Sequence, residues 1–289
     1  MKHTAFLAQV LSTPWALHPD YMTAYASALA RNIAGAPMAA APAPKRTSAR
    51  SGAIAVIPIY GTIMQRASMM SMCEGGTSTS EISTAIREAM SDETISQILL
   101  DIDSPGGSVY GVGELASEII NARAKKPVIA VSNSLAASAA YWVGCAASEF
   151  YVTPGGEVGG IGVWQAHEDW SKAMEEAGVN VSLISAGKYK TEGNPYAPLD
   201  PDAQAFMQSR VSDYYSSFTK AVAKGRNVPI DAVRNGMGQG RVLGADAALA
   251  ENMVDGIATF DEVVKKIQAN AKAPRSALKA AQNRLSILG

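Results

Sequence analysis

Apolar runs that end in small-residue turns and lead into helical patterns constrain this sequence more than any other feature. Residues 53–61, 98–103, 127–131 and 150–153 have the length and composition of buried strands, and helix-like segments separate most of them. This alternation predicts an α/β fold with a mainly parallel sheet and right-handed crossovers. Binding sites of such sheets lie at the carboxyl ends of the strands, so function is expected in the turns that follow the runs.

A serine follows one of these runs at the point where a helix is expected to begin. Ser138 ends a turn of small residues after the run 127–131, and Tyr141 and Trp142 belong to the helical pattern behind it. The free N–H groups and the dipole of a helix N-terminus favour negative charge that develops on an attacked carbonyl oxygen. Ser138 is therefore a candidate nucleophile, although a serine in such a turn is more often an ordinary helix cap.

A Gly-Gly turn follows the run 98–103. Gly106 and Gly107 permit positive φ angles and the close approach of a peptide backbone, and their N–H groups can point at an oxyanion. Most turns of this composition are only turns, so the pair gains meaning only beside a nucleophile.

A third turn carries two lysines. Residues 181–185 have the pattern of a strand, and Lys188 and Lys190 follow in the turn after it. A lysine can serve as a general base when desolvation favours its neutral form. Without other context, a lysine in a turn is most simply a solvated charge.

Together the three turns resemble a known peptidase pattern. The motifs Asp-Ser-Pro-Gly-Gly, Ala-Ala-Ser-Ala-Ala-Tyr-Trp and Gly-Lys-Tyr-Lys follow the order found in Ser-Lys peptidases of the signal peptide peptidase A family, which includes the prohead proteases of tailed phages. The resemblance covers residues 54–267, which is most of the chain. It implies the fold of the Clp/crotonase superfamily, with repeated β-β-α units and a mainly parallel sheet flanked by helices.

The resemblance also implies a role for each matching residue. Ser138 is the expected nucleophile, and Lys190, which follows 52 positions later (190 − 138), is the expected base. The expected oxyanion donors are Gly106 or Gly107 and the residue after the nucleophile, Ala139.

Three positions depart from the family pattern. Gly160 stands where the family has the serine of its Gly-Ser-Ile-Gly-Val strand, and Ala139 and Ala140 stand where family members more often have glycine. An added methyl group leaves the N–H of Ala139 free, so the alanines are a minor departure.

His167 and Tyr141 are candidates for the substrate groove. His167 is also the rival of Lys190 for the role of base, because Clp proteases of the same superfamily use a Ser-His-Asp triad and His167 follows Ser138 by 29 positions (167 − 138). Lys190 is favoured, because the turn around it matches the motif of the Ser-Lys family, whereas His167 is supported only by its distance from Ser138 in the sequence.

Four segments are expected along the chain. Apolar positions at helical spacing within residues 5–33 predict a helical N-terminal segment over residues 1–34. An Ala/Pro-rich stretch at residues 35–51 predicts a flexible linker. The peptidase domain is expected at residues 52–267, and a polar tail at 268–289.

Within the peptidase domain, the hydrophobic spacing predicts helices at residues 79–91, 168–177 and 201–226. A strand is predicted at residues 158–165. Cys145 falls in the helix behind Ser138 and is expected to be a buried thiol.

Composition excludes several classes of protein. A net charge of −1 gives no overall attraction to nucleic acid or to anionic lipid. The two cysteines and three histidines lack metal-site spacing, so we expect no metal and no other cofactor. No apolar run is long enough to cross a membrane, and the N-terminus makes a poor signal peptide, which favours a cytoplasmic phage or prophage protein over a membrane-anchored cellular one.

The sequence therefore predicts a serine endopeptidase with a Ser-Lys dyad, acting on capsid or scaffold proteins of a phage prohead and forming a homo-oligomer. Three alternatives stay open: a cytoplasmic peptidase that degrades signal peptides, a crotonase-like acyl-CoA enzyme, and a non-enzymatic assembly protein that keeps the fold.

Overall fold

The computed structural model describes residues 13–21, 48–66 and 76–272. The strands are β1 (Trp15–Leu17), β2 (Ala49–Ser51), β3 (Ile54–Tyr60), β4 (Ile63–Met64), β5 (Thr77–Ser78), β6 (Gln97–Ser104), β7 (Gly106–Ser108), β8 (Val128–Ala137), β9 (Glu149–Val152), β10 (Glu157–Gly159), β11 (Val242–Gly244) and β12 (Gly256–Ile257). The helices are α1 (Thr79–Ser91), α2 (Val112–Arg123), α3 (Ala139–Gly144), α4 (Ser171–Glu176), α5 (Pro201–Arg226), α6 (Ile230–Asn235), α7 (Ala245–Ala250) and α8 (Phe260–Lys272), with a 3-10 turn at Met237–Gly240.

A mainly parallel sheet forms the centre of the fold. Its main strand order is β11-β10-β8-β6-β3-β2, with β9 and β12 attached beside β8. Only the β2/β3 and β10/β11 pairs of this sheet are antiparallel within the described residues. The long strand β8 pairs with β9 along its first half and with β10 along its second half, so its carboxyl end lies against β10. The predicted α/β class is confirmed.

A second, smaller sheet lies at the carboxyl end of the central strands. Its order is β1-β7-β4-β5, and β7 is the continuation of β6 beyond Pro105. The central strand β6 therefore leads from the hydrophobic core directly into the Gly106–Ser108 edge of the small sheet.

Both faces of the central sheet are buried, as is typical of parallel sheets. Alternate residues of β6 belong to two different hydrophobic clusters. Ile98, Leu100 and Ile102 pack in the larger cluster with α1, α2 and α3, whereas Leu99 packs in a smaller cluster with Val263 of α8.

Capping residues set the ends of the two helices whose predicted bounds agree with the structure. Ser78 and Glu81 form a capping box at the start of α1. Asp200 accepts a hydrogen bond from the Ala203 N–H at the start of α5, and Pro201 occupies the first helical position, where its missing N–H costs nothing. The predicted helices at residues 79–91 and 201–226 are confirmed.

The N-terminal helix prediction is wrong at residues 15–17 and agrees with the structure at residues 19–21, which are helical. Residues 15–17 form strand β1, because they pair antiparallel with Gly106–Ser108 and Pro14 disfavours a helix through this point. The expected linker also ends earlier than predicted, since residues 49–51 form β2 and pair with β3. Residues 1–12, residues 22–47 and the tail beyond residue 272 lie outside the described residues.

Two further boundaries differ from the predictions. The strand expected at residues 158–165 ends at Gly159, because Gly159 and Gly160 adopt φ angles of 124° and 65°, which turn the chain out of the sheet. The helix expected at residues 168–177 begins only at Ser171.

The buried thiol prediction is confirmed for Cys145. Its side chain is 1% exposed, and the thiol donates to the carbonyl oxygen of Trp142 at 3.2 Å. Burial raises the pKa of the Cys145 thiol to about 12, so it stays protonated at neutral pH. Cys73 lies outside the described residues.

Close backbone contact between α5 and the end of α3 generates a stability prediction. A Cβ on Gly225 would lie 2.2 Å from the carbonyl oxygen of Cys145. Gly225→Ala should therefore destabilise the protein by about 1–3 kcal/mol, as overpacking does, despite the better helix propensity of alanine. Denaturant unfolding measures the change.

Gly113→Ala in α2 is the matched control, because a Cβ there meets the Trp142 ring at an ordinary 3.5 Å. It should be neutral or should stabilise by up to about 1 kcal/mol. Equal effects of the two substitutions would contradict the close contact of Gly225 with the carbonyl oxygen of Cys145.

Candidate active site

Ser138 lies at the junction between strand β8 and helix α3. It is the N-cap residue of α3, it follows Ala137 at the end of β8, and it is 3% exposed. Its backbone has φ 57° and ψ −116°, a conformation that residues with a side chain rarely adopt. Its side chain makes no capping hydrogen bond to the helix, so the ordinary role of an N-cap serine does not explain it. Strain of this kind is typical of functional sites.

Backbone hydrogen bonds on both sides hold Ser138 in this conformation. Its N–H donates to the carbonyl oxygen of Gly159 at 2.6 Å, and its own carbonyl oxygen accepts from the Trp142 N–H at 2.9 Å. Trp142 is itself anchored in the core, where its ring stacks on Phe218 with centroids 4.6 Å apart. The strained turn is therefore fixed by β10 in front and by the core behind.

Tyr141 lies in this core, in contrast to the groove position considered from the sequence. It is fully buried, and its hydroxyl donates to the carbonyl oxygen of Met253 at 3.0 Å. Burial raises its pKa well above the usual range for tyrosine. All six residues of α3, which follow Ser138, are buried, so they anchor the turn in the hydrophobic core.

The Gly-Gly turn lies against the backbone that follows Ser138. A Cβ on Gly106 would lie 2.9 Å from the backbone nitrogen of Ala139 and 2.9 Å from the carbonyl oxygen of Ala137. A Cβ on Gly107 would lie 1.8 Å from the carbonyl oxygen of Ile63. The structure therefore places Gly106 against the backbone on both sides of Ser138, whereas Gly107 lies against Ile63.

Ser104 is a residue of this turn that the sequence reasoning did not single out. Its hydroxyl donates to the carbonyl oxygen of Gly61 at 2.6 Å and accepts from the Gly106 N–H at 3.2 Å. It is fully buried and holds the Gly106 turn against β3. Its place in the Asp-Ser-Pro-Gly-Gly motif was the only signal available.

Gly160, where the family has a serine, borders the candidate nucleophile. A Cβ at this position would lie 3.7 Å from the Cβ of Ser138. A serine side chain at this position would thus contact Ser138. Glycine provides no side chain for that contact.

Lys190 lies in an exposed turn, and the structure shows no bond between its side chain and Ser138. The backbone N–H of Lys190 donates to the carbonyl oxygen of Gly187 at 3.1 Å. The strand predicted at residues 181–185 is not formed: these residues are exposed, and Ile184 is 99% exposed. A strand needs a partner edge, and within the described residues this segment has none.

His167 also shows no hydrogen bond to Ser138. Its ring is half-buried, and Nε2 lies 3.2 Å from the carbonyl oxygen of Asn194. In this position it links the segment after β10 to the segment after Lys190.

The fold and the Ser138 turn define a class of α/β protein in which a strained serine lies beside a glycine turn at the end of a parallel strand. The model of peptidase family S49 matches residues 120–274, which is more than half of the chain. The chain therefore belongs to peptidase family S49.

Similar proteins are found among phages and bacteria. The chain is 34% identical to the capsid assembly protease C of Escherichia phage lambda over 81% of its own length and 51% of that protein. It is 28% identical to the head-tail preconnector protein GP5 of Enterobacteria phage P21 over 92% of its own length and 58% of that protein. It is 27% identical to a putative signal peptide peptidase SppA of Enterococcus faecium over 65% of its own length. The chain thus spans little more than half of either phage relative.

The helices of the described ranges include none with the length and apolar character that crossing a bilayer requires.

The backbone of Ser138 generates a prediction that does not depend on activity. Ser138→Gly should be more stable than Ser138→Ala by about 1 kcal/mol, because glycine adopts this positive φ without strain. Thermal unfolding of the two variants measures the difference.

Ser132, earlier in the same strand, is the control position, because it has no positive φ. There the order should reverse, with Ser132→Gly less stable than Ser132→Ala by about 0.5–1 kcal/mol. The same order at both positions would show that the Ser138 turn is unstrained.

Proposed function

We propose that this protein is a serine endopeptidase in which Ser138 is the nucleophile and Lys190 the general base. The observation that carries the proposal is the strained Ser138 turn, which lies beside the Gly106 turn and leads into the Ala139 N–H. Convergence of a serine with backbone N–H donors is what acyl transfer requires. Membership of peptidase family S49 supports the same chemistry.

In the proposed reaction, neutral Lys190 removes the proton of the Ser138 hydroxyl as its oxygen attacks the scissile carbonyl. Gly106 or Gly107 and Ala139 donate N–H groups to the oxyanion, and loss of one such donor typically lowers the rate by about 10²–10³. The protonated lysine then gives its proton to the leaving amine. A water molecule, deprotonated by Lys190, releases the acyl group and restores Ser138.

A second copy of the chain would complete this site. Lys190 follows an exposed segment whose apolar side chains, Val181, Leu183 and Ile184, are 40%, 45% and 99% exposed. Its pattern is that of a strand without a partner, and an edge of a neighbouring subunit would both pair with it and cover the lysine. Covering Lys190 would favour the neutral amine that the reaction needs. We therefore propose that the active form is a homo-oligomer.

The proposed substrates are capsid or scaffold proteins of an assembling phage prohead in the host cytoplasm. The names of the phage lambda and phage P21 relatives support this assignment. The bacterial relative named as a signal peptide peptidase supports peptide degradation as the alternative.

Cleavage by purified variants tests the dyad. Wild type should cut a candidate capsid or scaffold protein, whereas Ser138→Ala and Lys190→Ala should each lose cleavage by at least about 10³, as expected for a nucleophile and its base. Intact mass of the products measures the cut and its position. Lys188→Ala, on the same turn, is the control and should keep activity. If His167→Ala is inactive while Lys190→Ala still cuts, the base is His167.

A mixture of inactive subunits tests whether the site is shared. If Ser138 and Lys190 come from different chains, mixing Ser138→Ala with Lys190→Ala protein should restore up to about one quarter of the wild-type rate, since in random pairings that fraction of sites has both residues intact. Rates of the mixture against each variant alone measure this. No recovery after proven subunit exchange would place both residues in one chain.

A further inference from the structure

The strand next to the proposed oxyanion turn comes from the N-terminal segment of the same chain. In β1, Trp15, Ala16 and Leu17 pair antiparallel with Ser108, Gly107 and Gly106 in turn. The His18 N–H donates to Pro105 at 2.9 Å, and the Val109 N–H donates to Pro14 at 3.3 Å.

These two bonds set the pattern of the ladder between them. Hydrogen-bonded pairs alternate along an antiparallel ladder, so Ala16 and Gly107 form a hydrogen-bonded pair. The carbonyl oxygen of Ala16 therefore accepts from the Gly107 N–H, which is one of the donors proposed for the oxyanion. A Cβ on Gly106 would lie only 2.3 Å from the same oxygen.

The other edge of β1 is bound to the segment that follows β10. Trp15 and Trp164 exchange backbone hydrogen bonds of 2.8 and 3.0 Å. The indole Nε1 of Trp164 donates to the carbonyl oxygen of Leu17 at 2.9 Å. β1 is thus held between two extended backbones, and Trp15, Ala16 and Leu17 are at most 2% exposed.

This is the arrangement in which a protein binds an extended peptide by strand addition, with backbone bonds on both sides and buried side chains between them. The groove between Gly106–Ser108 and Trp164 ends beside Ser138, because Gly106 touches the backbone of Ala139. A polypeptide presented to Ser138 as a strand would need the edge that β1 covers.

We propose that residues 14–18 are an intramolecular pseudo-substrate that occupies the peptide groove and must leave it before another polypeptide can enter. This inference rests on the proposed function. The bound segment is held out of a reactive position, because the carbonyl oxygen of Leu17 points to Trp164 and that of Ala16 is bound in the ladder. Residues 22–48 tether β1 to β2, so displacement does not require loss of the segment.

The occupant also indicates what the groove accepts. Trp15, Ala16 and Leu17 place an aromatic, a small and a branched apolar side chain in buried positions. Competing substrates should therefore present an extended apolar segment of protein, rather than a charged one.

A reversible lock on β1 tests the proposal in the full chain. Trp15 and Ser108 form a non-hydrogen-bonded pair, whose close Cα atoms suit an engineered disulfide. In a Cys73→Ser background, Trp15→Cys with Ser108→Cys should label at Ser138 with a fluorophosphonate at least about tenfold more slowly when oxidised than when reduced, because the lock abolishes the open state. Intact mass measures the labelling.

Two comparisons complete the test. Ala49→Cys with Val56→Cys, across β2 and β3, is the matched control, and its oxidation should leave the labelling rate unchanged. Ala16→Pro removes the N–H that bonds to Gly107 and should speed labelling. The proposal would be overturned if the oxidised and reduced proteins label at equal rates, or if Ala16→Pro labels more slowly. Either result would show that β1 stays in place as a fixed part of the site.

Hydrogen exchange separates this inference from the proposed chemistry. Ala16→Pro should speed exchange at the Gly107 and Val109 amides, and an added peptide of residues 12–21 should restore their protection whether or not Ser138 reacts. Failure of the peptide to bind overturns the pseudo-substrate. Restored protection without labelling of Ser138 in any variant leaves the groove in place and overturns the serine nucleophile.

Discussion

The contact of three backbones at Gly106 and Gly107 is the constraint on which the rest of the site depends. Side chains at these positions would collide with Ile63, with Ala16 and with the backbone around Ser138. Because no side chain intervenes, the end of β6, the end of β8 and an extended segment can meet within bonding distance. The alternation of strands and helices brings these ends to one edge of the sheet, and the glycines let them touch.

The parts of the site that the sequence predicts are those determined by local pattern. Ser138, Ala139 and the glycine turn follow buried parallel strands, so their placement follows from the strand order and needs no distant contact. Helix α5 is predicted to the residue for a related reason, since Asp200 and Pro201 mark its start in the sequence itself. Such signals are short in range and depend little on tertiary context.

The parts that the sequence does not predict depend on partners that are distant or absent. Residues 15–17 have helical spacing around them, yet the Gly107 and Trp164 edges recruit them as a strand. Residues 181–185 have a strand pattern, yet the described part of the chain offers them no edge. Tyr141 is a groove candidate in the sequence, but the core buries it fully and its hydroxyl donates to the carbonyl oxygen of Met253.

Strand β1 and residues 181–185 differ in their backbone pairing: β1 is paired on both edges, and residues 181–185 are unpaired among the described residues. The groove beside Ser138 holds a strand that a substrate would replace, and the proposed base follows a strand-like segment that pairs with no edge among the described residues. A substrate strand could replace β1, and a neighbouring subunit could pair with residues 181–185. Both changes concern backbone pairing, so neither requires the core that holds Ser138 to move. Under the proposed function, assembly would supply Lys190 while substrate displaces β1, and the rigid Ser138 turn would stay in place through both events.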